Sequence, residues 1–346
     1  MNLNVIIPNY NGRRFLPACL DSLRAQTYKG FSVTVVDNGS DDGSLPLLAS
    51  SYPEVNIIRL PHNGGFSVAA NEGILRAGTP FVMLLNNDTI LRPDCIGQLI
   101  KAIAASPDIF SAGANVLRMG TPRCTDTTGD YYSLFGYAFC RGQGLPPLKR
   151  APGQVFSNCG CAVVYRTALL KKTGLFDQRF FAYLEDVDLG FRARRLGLQN
   201  VFCPNAVVLH YGSGTTGQKY SPFKVYHSAR NNILLQKKDL TTIQRMLHAP
   251  FFLAGTLLKY FYFRQIHLQE YYVRGLLSGL REPALPPQGQ KGGVRAFFRT
   301  EPWILYGTFL YIRQLLQRRL RQPITSAMQN HAHPAQDSDY NSDLRS

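Results

Sequence analysis

The feature that most constrains this chain is the texture of its first hundred residues, where short β-rich runs alternate with amphipathic stretches and end in polar loops. Runs at 3–7, 32–36, 55–60 and 81–85 are the strand candidates. Between them, Phe15, Leu16, Cys19, Leu20 and Leu23 share one face at helical spacing, and 68–77 forms a weaker helical pattern after the Gly64-Gly65 turn. Strand, helix, strand at this spacing predicts an α/β fold with a mostly parallel sheet flanked by helices. Such sheets bind ligands beyond the carboxyl ends of their strands, where loops converge and helix N-termini present unpaired N–H groups.

Those ends are polar and acidic. Pro8-Asn9-Tyr10-Asn11 follows the first strand, the run Asp37 to Asp42 follows the second, and Asn86-Asn87-Asp88 follows the fourth. Three loops are thus expected on one rim. Residues 106–155 are rich in Gly, Pro and Ser and show little periodicity, which predicts irregular structure around a site, with order returning at 162–176. Beyond about residue 215 the chain turns aromatic and basic, 283–293 reads as a linker, and 323–346 as a disordered tail.

Individually, the candidate residues have ordinary explanations. Asp88, at the end of a buried strand with Asn86 two residues before it, suits a hard divalent cation shared with substrate phosphates, but Asp and Asn are also common turn formers, and the same holds for Asp37. Glu185 and Asp186, adjacent carboxylates in an aromatic segment, invite raised pKa values and a general-base role, though a helix N-terminus also favours acids. Asp188 and Arg192 are spaced for a helix-surface pair. His210 closes an apolar run and reads alone as a structural hydrogen-bonder. Cys159 and Cys161 lack further soft ligands and read as buried thiols.

Together, in order and spacing, Val5 to Asn11, Val35 to Ser44, Asn63-Gly64-Gly65-Phe66 with Asn71, Leu85 to Asp88, and Tyr183 to Leu189 resemble the family 2 inverting glycosyltransferases. The similarity covers about residues 1–231 and is greatest to the rhamnosyltransferase-like branch that builds bacterial surface polysaccharides. It implies a GT-A type fold, with a nucleotide-binding half (1–100) and a metal and acceptor half (101–231). It further implies that Pro8 and Tyr10 pack near the base, that Asp37 accepts from it, and that Asn11, Asn63, Gly64, Asn71, Asn86 and Asn87 line the nucleotide-sugar site. Asp88, with His210, is implied as ligand of Mg²⁺ or Mn²⁺; the family motif usually carries aspartates at both ends, and here Asn86 stands first. Asp186 is the implied catalytic base, supported by Glu185, and Arg230 matches an element that contacts phosphate. The implied reaction moves a sugar from a dTDP-rhamnose or UDP-hexose type donor to a hydroxyl of a lipid-linked or growing glycan, by a single inverting displacement.

The basic excess lies late in the chain. Lys and Arg number 38 against 22 Asp and Glu, divided 20 to 15 up to residue 200 and 18 to 7 after it. Uncharged stretches at 246–258 and 302–312 fall short of the roughly 20 residues of a spanning helix. Their mixture of aromatic, aliphatic and flanking basic residues predicts amphipathic helices at 232–282 and 294–322, lying on an anionic membrane surface or packed into the core. Arg313, Arg318, Arg319 and Arg321 form a basic strip on the second. Seven cysteines without paired spacing and no secretory pattern point to a cytoplasmic protein, peripheral on the inner membrane face. A nucleic-acid-binding protein can also carry +16, but an acidic rim argues against a nucleic-acid partner. A catalytically silent nucleotide-sugar-binding scaffold stays open, because Asn86 replaces an acid.

Overall fold

The computed structural model describes residues 1–120, 123–147, 151–212, 220–283 and 293–325, the last five by backbone alone. The N-terminal region is β1 (Leu3–Asn9), α1 (Leu16–Arg24), β2 (Phe31–Asp37), α2 (Ser44–Ser51), β3 (Asn56–Arg59), α3 (Phe66–Arg76) and β4 (Phe81–Leu85). Its four strands lie parallel in the order β3-β2-β1-β4. Val5 and Ile7 face one helical layer with Leu16 and Leu20, while Ile6 faces the other with Ala70 and Ile74, so the strand's alternation buries both faces. Register does the rest: Asn9 sits opposite Asp37, which puts two polar strand ends side by side.

Residues 106–155 are not irregular, contrary to their composition. After β5 (Thr89–Leu91) and α4 (Cys95–Ala104), they supply β6 (Ile109–Arg118), β7 (Cys124–Thr127), β8 (Asp130–Tyr132), β9 (Ala138–Cys140) and β10 (Gly153–Val155). β6 is an interior strand whose polar residues are buried in pairs: Ser111 Oγ donates to Asn200 Oδ1 at 2.6 Å and accepts from Asn158 Nδ2 at 2.9 Å. Internal hydrogen bonding of this kind removes the apolar alternation that marks a strand in sequence. β11 (Ala162–Arg166), α5 (Thr167–Thr173), α6 (Glu185–Arg195) and β12 (Gln199–His210) follow. The full order is β10-β12-β6-β11-β4-β1-β2-β3, and β11 runs antiparallel to both neighbours, so the sheet is parallel in its first half and mixed beyond β4.

Four helices complete the described chain: α7 (Pro222–Asp239), α8 (Thr242–Gln265), α9 (Gln269–Arg281) and α10 (Val294–Thr325). α7 passes through residue 231 unbroken, so the expected boundary there divides a helix. The expected linker lies, apart from its two ends, outside the described residues, as does the tail beyond 325. α10 and α8 rest on the hairpin of β8 and β9. Ile304 is fully buried, Arg194 stacks its guanidinium 4.0 Å from the Trp303 ring centroid, and the Tyr137 hydroxyl bonds the Gly255 carbonyl. Among the described residues no helix is long and apolar enough to cross a membrane.

Candidate active site

The donor-side rim is assembled by turn chemistry at the parallel strand ends. Asn9 Nδ2 donates to Asp37 Oδ2 at 3.1 Å, Asn87 Nδ2 donates to Asn9 Oδ1 at 2.8 Å, and the Ser40 N–H donates to Asp37 Oδ1 at 3.0 Å. Asn9 thereby joins three loops, a role its motif did not single out. A side chain at Gly12 would place Cβ 2.0 Å from Asn87 Nδ2, so only glycine leaves this knot intact. Pro8 sits half-buried on β1 opposite Val36, Tyr10 is 38% exposed, and Asn11 Oδ1 accepts from the Asp41 N–H at 3.0 Å. Asn63 Oδ1 accepts from Asn38 Nδ2 at 2.9 Å, while the Gly64 N–H donates to Asn38 Oδ1 at 3.0 Å.

Two residues expected to contact the nucleotide are engaged within the protein. Asn71 is buried on α3 with both amide edges engaged by Phe176, donating to its carbonyl at 2.8 Å and accepting from its N–H at 3.0 Å. Arg230 is turned into the protein, donating to the Arg179 carbonyl at 2.6 Å and pairing with Glu282.

The acid on β4's loop is placed by strand pairing. Thr89 of β5 is opposite His210 of β12, and the Tyr211 N–H donates to the Asp88 carbonyl at 2.9 Å, which sets His210 Nε2 3.1 Å from Asp88 Oδ1. β6 pairs with both β12 and β7, and this brings Asp126 Oδ2 to 2.6 Å from His210 Nδ1. Burial opposes charge on His210, but Cys161 and the hydrogen bonds to Asp126 and Asp88 raise its pKa well above the ordinary 6.5. Burial likewise opposes charge on Asp126, yet His210 holds that carboxyl below its usual range. Asp126 lies in the segment whose strands were hidden, and no motif marks it.

Carboxylate oxygen and imidazole nitrogen converging at 3.1 Å suit a hard or borderline divalent cation, and Asp126 fixes the ring from behind as a carboxylate behind a ligating histidine does. A different trio, Asp130, Cys159 and Asp186, has ligating atoms within 4.8 Å of one another. Burial pushes the Cys159 thiol well above its ordinary range, so this trio offers a hard cation a poor third ligand. It is better described as the surroundings of Asp186.

Asp186 lies in the first turn of α6, half-buried, with Oδ2 accepting from the Gly160 N–H at 3.1 Å and Oδ1 from the Val187 N–H at 2.8 Å. Burial raises its pKa, and these two N–H donors pull it partly back. Glu185 is driven further up, well above the usual carboxylate range, by burial and then by the Asp186 charge; its Oε2 is buried without a hydrogen-bond partner. Buried Asp130 is raised in the same way. One three-residue stretch links the two acid centres: the Cys161 carbonyl accepts from the Asn86 N–H at 2.9 Å, while Gly160 holds Asp186.

The segment before Asp186 is unusual. Phe181, Tyr183 and Leu184 have φ of +53°, +72° and +70°, in the left-handed region that side chains disfavour. Asn231 Nδ2 of α7 holds them, donating to the carbonyls of Phe180, Ala182 and Tyr183 at 2.7, 2.9 and 2.8 Å. From the donor side, the Phe66 N–H donates to the Phe181 carbonyl at 2.7 Å, and Gly65, at φ +87°, admits that carbonyl where a Cβ would lie 2.5 Å from it. Lys238 reaches both ends, 2.8 Å from Asp177 and 2.7 Å from Asp188. Asp188 and Arg192, expected on a helix surface, are an internal pair at 2.6 Å.

The family model for glycosyl transferase family 2 matches residues 4–174. The chain belongs to this family. The glycosyltransferase is 28% identical, over 259 residues, to an N-acetylglucosaminyl-diphospho-decaprenol L-rhamnosyltransferase of Mycobacterium tuberculosis, covering 67% of this chain and 83% of the relative. Its fold is that of GT-A glycosyltransferases. It superposes on GalNAc-T7, solved with UDP, GalNAc and Mn²⁺, with TM-score 0.57 and 14% identity over 68% of this chain and only 48% of that one. A mannosyltransferase from Pyrobaculum calidifontis, in complex with GDP-Man and Mn²⁺, gives 0.52 and 15% over 81% and 87%.

Proposed function

We propose that this glycosyltransferase moves a sugar from a nucleoside diphosphate donor to a hydroxyl of a lipid-linked or growing surface glycan, with inversion at the anomeric carbon. The observation that carries the reading is the shared floor of the two acid centres, with Asn86 and Asp186 hydrogen-bonded to Cys161 and Gly160 of one short stretch. A site for the departing diphosphate and a base for the incoming hydroxyl thus lie on one sheet edge. The rhamnosyl group and lipid diphosphate acceptor named for the mycobacterial relative favour a deoxythymidine diphosphate rhamnose donor, with a UDP-hexose next. The same acceptor class favours action at the inner face of the cytoplasmic membrane.

The residues divide the work. Asp37, buried and held by Asn9 and Ser40, would accept from the base of the nucleotide through its remaining lone pairs, and Tyr10 and Asn11 edge the same loop. Asp88 and His210 would hold Mg²⁺ or Mn²⁺, which supplies charge stabilisation to the diphosphate. Asp186 accepts the proton of the acceptor hydroxyl as its oxygen attacks, and the raised pKa strengthens it as a base. Displacement opposite the leaving group through an oxocarbenium-like transition state inverts the centre without a covalent enzyme intermediate.

Titration with dTDP, UDP and GDP, with and without Mn²⁺ or Mg²⁺, followed by transfer to a polyprenyl-diphosphate-linked acceptor, tests the reading. Metal-dependent tightening of one nucleotide that is lost in Asp88→Ala, and a product of inverted configuration, are expected. Binding without transfer of any sugar would leave the scaffold reading in its place. Folded protein that binds none of the three would overturn both.

A further inference from the structure

α8 and α10 carry apolar side chains on their outer faces as well as on the faces that bury Ile304 and pack Phe252, Trp303 and Leu310 on the core. Towards the catalytic region they turn hydrogen-bonding groups. Thr308 Oγ1 accepts from the Leu134 N–H at 2.9 Å, Gln314 accepts from the Gly142 N–H at 2.7 Å, and Gln244 of α8 donates to Thr300 and Glu301 of α10 at 3.0 and 2.8 Å. Outward they present Met246, Leu253, Leu258, Phe261, Phe309 and Leu316, each more than half exposed. A helix facing water keeps its outer face polar, and an apolar surface this extended marks a contact with something else.

Charge decides between the two possible occupants, a second copy of the chain and a lipid surface. Residues 240–325 contain 12 Lys and Arg and three acids. All three acids are already paired: Glu270 with Arg274, Glu282 with Arg230 and Glu301 with His248. A symmetric contact would set this basic surface against itself, whereas anionic headgroups neutralise it. Arg245, Arg313 and Arg319 are exposed beside the apolar side chains, while Arg318 is spent on the Gln143 carbonyl.

We propose that the outward faces of α8 and α10 form a monotopic seat on an anionic bilayer, with the leucines and phenylalanines at the acyl boundary and the exposed arginines among the headgroups. The seat deepens the proposed function, since it rests on the lipid-linked acceptor reading for its purpose and names the surface from which such an acceptor is met. It leaves the catalytic domain above the membrane and needs no spanning segment.

Co-sedimentation of the full chain with phosphatidylcholine vesicles, with and without phosphatidylglycerol, tests the seat without using the donor site. Salt-sensitive binding that strengthens with phosphatidylglycerol is expected. Leu258→Glu with Phe309→Glu should weaken it more than about tenfold, with the thermal midpoint and nucleotide titration unchanged. Arg313→Gln with Arg319→Gln should reduce the phosphatidylglycerol preference, about fivefold per arginine. Absence of binding by folded protein, or binding unaltered by the glutamates, would overturn the seat. So would a lipid-free dimer, seen by ultracentrifugation, that Leu258→Glu dissociates. A failed seat with intact nucleotide binding leaves the glycosyltransferase reading standing, and the converse result leaves the seat.

Discussion

The donor-side rim and the segment from Asp177 to Asp188 face the same site and are held in opposite ways. On the rim, Asn9, Asp37, Ser40 and Asn63 find partners in loops that neighbouring parallel strands already set side by side, and positive φ falls on Gly39, Gly43 and Gly65, with Asn11 the one exception. In the acid segment, positive φ falls on Phe181, Tyr183 and Leu184, a cost on the order of 1–3 kcal/mol each. The compensation comes from α7, through Asn231 on three carbonyls and Lys238 on both flanking acids. The region matched by the family model ends at residue 174, so the candidate base and its clamp both lie outside it. A donor site built locally can be shared across a family, whereas a base held by a distant helix can be re-aimed at a new acceptor by changing that helix.

If the comparison is sound, damage to the two regions should separate in the kinetics. The largest effect is expected from Asp186→Asn, which keeps the side-chain size and one of the two N–H contacts but cannot take a proton: turnover should fall about 10³–10⁴-fold with nucleotide affinity unchanged. Turnover within a few-fold of the parent would remove Asp186 from the base role. Asn231→Ala comes next. Releasing three carbonyls should let the strained segment relax and misplace Asp186, lowering kcat about 100-fold while donor KM holds. A matching loss of nucleotide affinity would show that the clamp serves the rim as well.

On the rim side, Asp126→Ala should free His210 to change tautomer and swing, weakening Mn²⁺ affinity about 10–100-fold by electron paramagnetic resonance titration. Asp126→Asn, which keeps a hydrogen-bonding group at that position, should lose less. Equal affinities in all three proteins would mean that the pairing of β5 with β12 alone positions the ring.

How much of this was legible in the sequence follows the same division. The strands at 3–7, 32–36 and 81–85 appear within two residues of their expected limits, because alternation in a sheet covered on both sides is a local signal. α2 was not anticipated, and β6 was read as irregular because its buried Ser111 answers to Asn158 and Asn200, far away in sequence. The anchoring role of Asn71 is hidden for the same reason: its partner Phe176 is 105 residues on. In the pair Arg230-Asn231 the charged residue drew attention, yet the amide beside it grips the acid segment while the guanidinium closes a helix contact with Glu282. Side chains that act through the backbone of another element carry no local signature.

The smallest effect separates Glu185 from Asp186. Two adjacent carboxyls cannot both ionise cheaply, and burial together with the Asp186 charge raises Glu185 further, so Glu185 takes up its proton before Asp186 does. The base must be ionised to act, so activity should fall as the pH drops through the raised pKa of Asp186, and this acid limb should lie above the ordinary aspartate value of 3.8. With Glu185 raised further than Asp186, Gln copies the protonated form that Glu185 takes up first. Glu185→Gln should therefore leave neutral turnover within a few-fold and the limb in place. A limb displaced downward by more than about half a pH unit would show that Glu185 had carried the charge, because removing a neighbouring negative charge lowers the pKa of the acid that remains. The proton would then sit on Asp186, and the base assigned to the strained segment would be the wrong one of its two acids.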